Sequence, residues 1–237
     1  HQASKSGMIH RLSQFSSKAF DYMVYHTSSQ MEYYKQQFPW LIDKCKFIHV
    51  GVDYDYWKSK KYPELDEKDT YIVCVGYRKR DWNTLLKAYD RAKINERLYL
   101  IGNPDIKCEN PNVKVLPFIP IDKLMTYIVN SKFSVIPLDD FNYSFGQLTL
   151  LQQMALGIPI LAADVPAIRD YTNASDGVIS YKSYDVQDLK KKLIRFSELS
   201  KEEMKQMKES NIEVIKTLLS EKQMAREFEA ICKIIVI

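Results

Sequence analysis

Short continuous apolar runs alternate along this chain with stretches whose apolar residues recur every three or four positions. From residue 71 the alternation is regular. "YIVCV" (71–75), "RLYLIG" (97–102), "VKVLPF" (113–118), "FSVIPL" (133–138), "IPILAA" (158–163) and "GVISY" (177–181) read as strands. Between them, "WNTLLKAYDRA" puts Leu85, Leu86, Tyr89 and Ala92 on one helical face. "IDKLMTYIVNS" and "GQLTLLQQMALG" read as further helices, the second ended by Gly157. "DVQDLKKKLIRF" follows with Asp185 as its cap. "SKEEMKQMKESNIEVIKTLL" opens with a capping box from Ser200 to Glu203, and "EKQMAREFEAICKII" is the last helix. Apolar strands without polar alternation, interleaved with amphipathic helices, imply a parallel sheet covered on both faces. The expected fold class is α/β, doubly wound, from about residue 70 onward.

The first 50 residues are less regular. "MIHRLSQFSSKAF" (8–20) reads as a helix and "YMVYH" as a short strand. "SSQMEYYKQQF" reads as a helix in which Ser29 caps and Glu32 reaches back, and "KFIHV" as a second short strand. Residues 51–69 are polar and aromatic without a period, which suggests a linker.

Composition narrows this picture only slightly. The 237 residues can hold one large domain or one and a half smaller ones. Apolar residues make up 46% and charged residues 27%, the proportions of a soluble globular protein. No apolar run approaches the ~18 residues of a membrane span, and there is no signal-peptide pattern. The four cysteines (Cys45, Cys74, Cys108, Cys232) are scattered without a C-x-x-C pair, so reduced thiols are expected rather than disulfides or a zinc site. A net charge of +4 suits an anionic ligand or an anionic membrane face, and equally a lysine-rich solvated surface. The chain starts with His1 rather than methionine, which suggests that the natural protein begins earlier.

Doubly wound sheets bind ligands at the carboxyl ends of their strands, where helices begin. That rule singles out Ser144 to Leu148. The strand "FSVIPL" ends, the loop "DDFNYSF" follows, and Gly146-Gln147-Leu148 starts a helix. Free N–H groups and the positive helix end there favour an anion, and a glycine allows close approach of the backbone. Gln147 offers a side-chain hydrogen bond without charge, and Gln152 lies one and a half turns further on. On spacing alone, a glycine serving only a tight strand-to-helix turn ranks ahead of a site.

The wider pattern changes that ranking. "GQLTLLQQMALGIPILAADVPAIRDY" resembles the donor-binding segment of GT-B glycosyltransferases, most closely glycosyltransferase family 4, or group 1. The matching residues are Leu151, Gln152, Gln153, Met154, Ala155, Gly157 and Pro159. "FIHVGVDYDYW" is similar to the family's interdomain turn, and "VCVGYRKRDWNTLLKAYDRA" to the first strand-loop-helix of its donor domain. The agreement runs in order through residues 22 to 185. It implies a Rossmann-like GT-B C-terminal domain at 70–237, a linker at 51–69, and a remnant of the N-terminal acceptor domain at 1–50.

By that resemblance the backbone at Gly146, Gln147 and Leu148 would hold the diphosphate or sugar of a nucleotide-sugar donor. Arg78 and Arg80 would neutralise phosphate, Arg80 standing nearest the family's basic position. A guanidinium suits this because it stays charged and binds phosphate bidentately. Phe118 would face the nucleobase, with a core phenylalanine at a strand end as the competing reading. The family's two glutamates, with seven residues between them, fall on Ser144 and Gln152, neither of which is acidic; glutamine can still address ribose hydroxyls.

The implied activity is metal-independent glycosyl transfer to a saccharide or lipid-linked acceptor in polysaccharide or glycoconjugate biosynthesis. No cofactor, bound metal or nucleic-acid partner is expected. The implied location is cytoplasmic, with peripheral attachment to the inner face of a membrane as a further option. The resemblance assigns no catalytic residue. His10 and His26 belong to the remnant and read as structural. The competing functions are a non-catalytic nucleotide-sugar-binding protein of the same fold and, with less support, a UDP-sugar epimerase.

Overall fold

The structure is a computed structural model that describes residues 7–65, 70–76, 78–102, 106–141 and 143–235. Its centre is a six-stranded, all-parallel sheet. The strands are β3 (Tyr71–Val75), β4 (Arg97–Ile101), β5 (Val113–Leu116), β6 (Ser134–Ile136), β7 (Ile160–Asp164) and β8 (Val178–Lys182), preceded in the chain by β1 (Met23–Tyr25) and β2 (Cys45–Phe47). The order across the sheet is β5-β4-β3-β6-β7-β8, so winding starts at the centre and reverses between β3 and β6.

The unbroken apolar strands exist because both faces are covered. Along β3, Ile72 and Cys74 face one core, which also holds Leu98 and Leu100 of β4. Tyr71, Val73 and Val75 face the other, with Tyr99 and Ile101. The first face is covered by α4 (Trp82–Ala92), α6 (Gln147–Ala155) and α8 (Val186–Ser197), through Leu85, Leu150, Leu151 and Leu193. The second is covered by α5 (Ile121–Val129), through Met125 and Ile128. On that second face Tyr71 and Tyr99 stack at 4.4 Å, and the Tyr71 hydroxyl donates to the Tyr127 carbonyl at 2.8 Å.

The caps expected at the C-terminal end form. Asp185 accepts from the N–H groups of Gln187 and Asp188, and the Ser200–Glu203 box opens α9 (Lys201–Thr217), followed by α10 (Glu221–Ile235). Two other expectations are corrected. The Ser29–Glu32 box does not form at α2 (Gln30–Gln37), because Ser29 is itself helical (φ −59°, ψ −16°). The chain enters the helix through tight turns from Thr27 and Ser28 to Gln30 and Met31, and Glu32 instead accepts from Gln36. The stretch expected as an irregular linker contains a helix, α3 (Tyr54–Ser59), capped by Asp53; its residues 66–69 lie outside the described residues. The segment entering it is pinned, since the Val52 N–H donates to Leu219 O and Glu221 N–H donates back to Val52 O.

Residues 7–50 form a separate small layer. α1 (Met8–Ser17), α2 and a 3-10 turn (Pro39–Lys44) flank the two-stranded parallel sheet of β1 and β2. Phe38 is its aromatic hub, in contact with His10, Tyr33, Tyr34 and Trp40.

A part-buried ion pair ties sheet to helix. Lys132, just before β6, donates to Glu96 at 2.5 Å, and Ser197 at the end of α8 donates to the other Glu96 oxygen at 2.6 Å. Burial would raise the Glu96 carboxyl, but these bonds prevail and hold it below its ordinary value of 4.5. A depressed carboxylate contributes stability at pH above its unfolded value and loses it as pH falls through its folded value. Glu96→Gln is therefore expected to cost about 1–3 kcal/mol at neutral pH. Urea unfolding of both proteins should show that difference shrinking as pH is lowered below 4.5.

Candidate functional site

The reversal between β3 and β6 leaves the loops that follow these strands side by side, and they are stitched together. Arg80 and Leu138 form an antiparallel bridge, Asp81 N–H donates to Pro137 O at 2.7 Å, and Asp139 N–H donates to Lys79 O at 3.2 Å. Above this seam lies a cleft of about 680 Å³. Its lining comprises Val75, Gly76, Arg78 and Arg80 after β3, Phe118 after β5, Ser144 to Thr149 at the start of α6, and Val50.

Seven of the eight residues singled out from sequence meet at this cleft: Arg78, Arg80, Phe118, Ser144, Gly146, Gln147 and Leu148. Gln152 does not line it; it sits half-buried further along α6. Phe118 is 70% exposed at the rim and is not the core residue of the competing reading. Ser144 and Leu148 are exposed too.

Arg80 is the buried charge of the site. Its Nε donates to Val75 O at 3.2 Å and its Nη1 to Arg78 O at 3.0 Å. The guanidinium lies across Gly76, where a Cβ would stand 2.6 Å from Nη2; Gly76 has φ +121°. Burial pushes the Arg80 guanidinium below its ordinary value, while Cys74, Asp139 and Tyr181 nearby push it back up. An arginine remains charged under such pressure. The Cys74 thiol underneath is pushed up to about 12 by burial, so it is neutral and inert.

At α6 the backbone supplies the polar groups. Gly146 holds φ +88° as the residue before the helix, and no side chain caps the helix among the described residues. The first N–H groups of a helix lack intrahelical partners. The residues at this opening, Gly146 to Thr149, all line the cleft. The Gln147 side chain, expected to address a ligand, is committed elsewhere. Its Nε2 donates to Ala167 O at 2.6 Å and to Thr27 Oγ1 at 3.2 Å, and the residue is only 4% exposed. The buried surroundings demand a partner for each amide hydrogen, and neither partner lines the cleft.

Several lining residues were missed in the sequence. Val75 and Gly76 end the first strand of the α/β unit, where strand-end position alone is a signal. Phe145 and Thr149 flank the singled-out Gly146, Gln147 and Leu148. Val50 comes from the segment before the sheet begins, "FIHVGVDYDYW", whose similarity to an interdomain turn implied no role in the cleft. His26 is structural, as expected: its Nδ1 shares a hydrogen bond with Ile48 O at 2.7 Å. His10 is buried edge-to-face on Phe38.

A central-start parallel sheet with this strand order, and a glycine- and arginine-lined cleft over its point of reversal, defines a Rossmann-like domain of the GT-B kind. The chain belongs to the glycosyl transferases group 1 family, which it matches over residues 55–214. Sucrose-phosphate synthase from Thermosynechococcus elongatus is similar with TM-score 0.76 at 16% identity, over 98% of this chain and 63% of that one. A glycosyltransferase from Rickettsia africae gives 0.77 at 15%, over 99% and 68%. Anabaena HepE, solved in complex with UDP and glucose, gives 0.76 at 12%, over 94% and 66%. This chain thus spans about two thirds of the length of these proteins, and at such identities the likeness is one of fold. A comparison with curated protein sequences gives no match.

Gly146→Ala forces an L-residue to φ +88° and brings a Cβ to 2.9 Å from Leu138 Cδ1. Chemical denaturation is expected to show a loss of about 1–2 kcal/mol, the size of a left-handed backbone penalty with little else changed.

Proposed function

We propose that the cleft holds a nucleoside-diphosphate sugar and that the protein transfers the sugar to a saccharide or lipid-linked acceptor in polysaccharide or glycoconjugate assembly. One observation carries this reading: Arg78 and Arg80 on the loop after β3, and the opening of α6 on another, meet at one cleft over the switch point. In the transfer, the bond between the anomeric carbon and a diphosphate oxygen breaks and a bond to the acceptor oxygen forms. The acceptor gives up its proton, and negative charge develops on the leaving diphosphate. Fixed positive groups and a helix N-terminus aimed at that charge stabilise it. Arg80 suits the role because its carbonyl partners and Gly76 hold it in place before any ligand arrives. This reading routes charge neutralisation through arginine and backbone, without assigning a metal.

The donor panel UDP, GDP, ADP and their sugar conjugates tests the proposal by thermal melting. A ligand at ~100 times its dissociation constant adds about 2.7 kcal/mol. One nucleotide series is expected to raise Tm in the wild type and to fail with Arg80→Ala. A cooperative melt unmoved by every member would overturn the donor reading.

A second reading, nucleotide-sugar binding without catalysis, draws on one observation. No carboxylate is among the described residues lining the cleft. Release of free nucleoside diphosphate over time separates the two, since binding without turnover favours the second.

Peripheral membrane attachment belongs to the same proposal. α1 exposes Met8, Ile9, Leu12 and Phe15 in one row, carries Arg11, and has no acidic residue. Exposed apolar rows with basic neighbours bind anionic lipid surfaces. Sedimentation with phosphatidylglycerol vesicles should pull down the wild type and leave an Ile9→Ser, Phe15→Ser variant in solution; equal partition of the two would dismiss attachment through α1.

A further inference from the structure

The first residue of α6 is bolted to a loop that never reaches the cleft. Thr27, two residues after the end of β1, is fully buried. Its Oγ1 donates to Ala167 O at 3.2 Å and accepts from Gln147 Nε2 at 3.2 Å, while Gln147 also donates to Ala167 O. The three groups form a closed, buried triangle that joins the loop after β1, α6 and the turn after β7. In such surroundings hydrogen bonds are directional and stiff. The turn after β7 is gripped twice more. Ser28 donates from N–H and Oγ to the two Asp170 oxygens, at 2.8 and 2.5 Å. The Tyr171 hydroxyl donates to His26 O at 2.8 Å and accepts from Val50 N–H at 3.0 Å. Of these hydrogen bonds among the described residues, those of the triangle are the ones that reach α6.

We infer that Thr27 is a positioning residue for the cleft, acting through the Gln147 carboxamide to fix the direction in which the opening N–H groups of α6 point. This rests on the donor reading of the cleft and adds a role for a residue that no ligand contacts. The loop after β1, in the small N-terminal layer, thereby sets affinity in a cleft built by the sheet. Gln147 serves the ligand with its backbone while its side chain aims that backbone.

The test is calorimetric titration of whichever nucleoside diphosphate shifts the melting curve, on wild type, Thr27→Val, Thr27→Ser, Gln147→Met, the Thr27→Val/Gln147→Met double variant and Ser28→Ala. Valine keeps the shape of Thr27 and removes the hydroxyl, and serine restores the hydroxyl. Thr27→Val is expected to bind about tenfold more weakly. Thr27→Ser should bind as wild type does, and the double variant should lose no more than Gln147→Met alone, because Thr27 acts on α6 through the Gln147 carboxamide that the methionine already removes. Ser28→Ala, which loosens the same junction away from α6, should lower Tm without changing affinity. If Thr27→Val does not melt cooperatively, Thr27→Ala takes its place. Wild-type affinity in Thr27→Val, losses that add in the double variant, or an equal loss in Ser28→Ala would each overturn the positioning role while the donor reading stands. If no nucleotide binds the wild type, the donor reading fails and this role fails with it.

Discussion

A sheet buried on both faces leaves no room for chemistry along its strands, and this constraint organises the molecule. All five residues of β3 are buried, alternately in one core and the other. Polar function is displaced to the strand ends. Among those ends, only the reversal between β3 and β6 separates two loops that would otherwise be covered by helices winding the same way. The two strands share a single registered pair, Val73 with Ser134. The seam above them is closed by loop contacts, the Arg80–Leu138 bridge among them. The cleft is therefore a consequence of the winding, and the side chains at its edge decide what it can hold.

Arg80 shows how a charge survives there. Taking a guanidinium out of water is costly unless its N–H groups find acceptors. Two backbone carbonyls meet that need, and neither is a carboxylate that would cancel the charge. The result is a fixed cation with no direct ion pair among the described residues. The pair formed by Glu96 and Lys132 is the opposite arrangement, since its charges cancel and its work is to hold β6 to α8. Buried ionic groups in one domain thus divide by the identity of the acceptor.

The sequence made the sheet legible because burial on both faces writes a continuous apolar run, a signal that needs no tertiary context. Asp185 and Ser200 were legible as caps for the same reason, since their partners lie within three residues. Ser29 carried the same motif and did not cap, because the turn from Thr27 had already placed it in helical conformation. The cleft residues after β3 and before α6 were found from strand-end positions together with a family resemblance. What local pattern could not show was direction. The Gln147 side chain turns toward Thr27, 120 residues away in sequence, and Val50 reaches the cleft from a different layer. Contacts of that separation leave no period in the chain.

The junction between the small layer and the sheet illustrates why direction matters more than area at such places. Apolar burial is non-directional and would tolerate a small rotation of one layer on the other. Hydrogen bonds to carbonyl oxygens tolerate much less. The junction has both kinds of contact in one residue. The Tyr171 ring is fully buried in the core of the sheet and meets His49 edge-on at 5.4 Å, while its hydroxyl bridges His26 and Val50. The ring supplies adhesion and the hydroxyl supplies orientation. Because Val50 also lines the cleft, an orientation set at Tyr171 is carried directly to the wall of the site. A layer of modest size, holding little apolar surface of its own, can in this way fix the geometry of a cleft that the larger sheet creates.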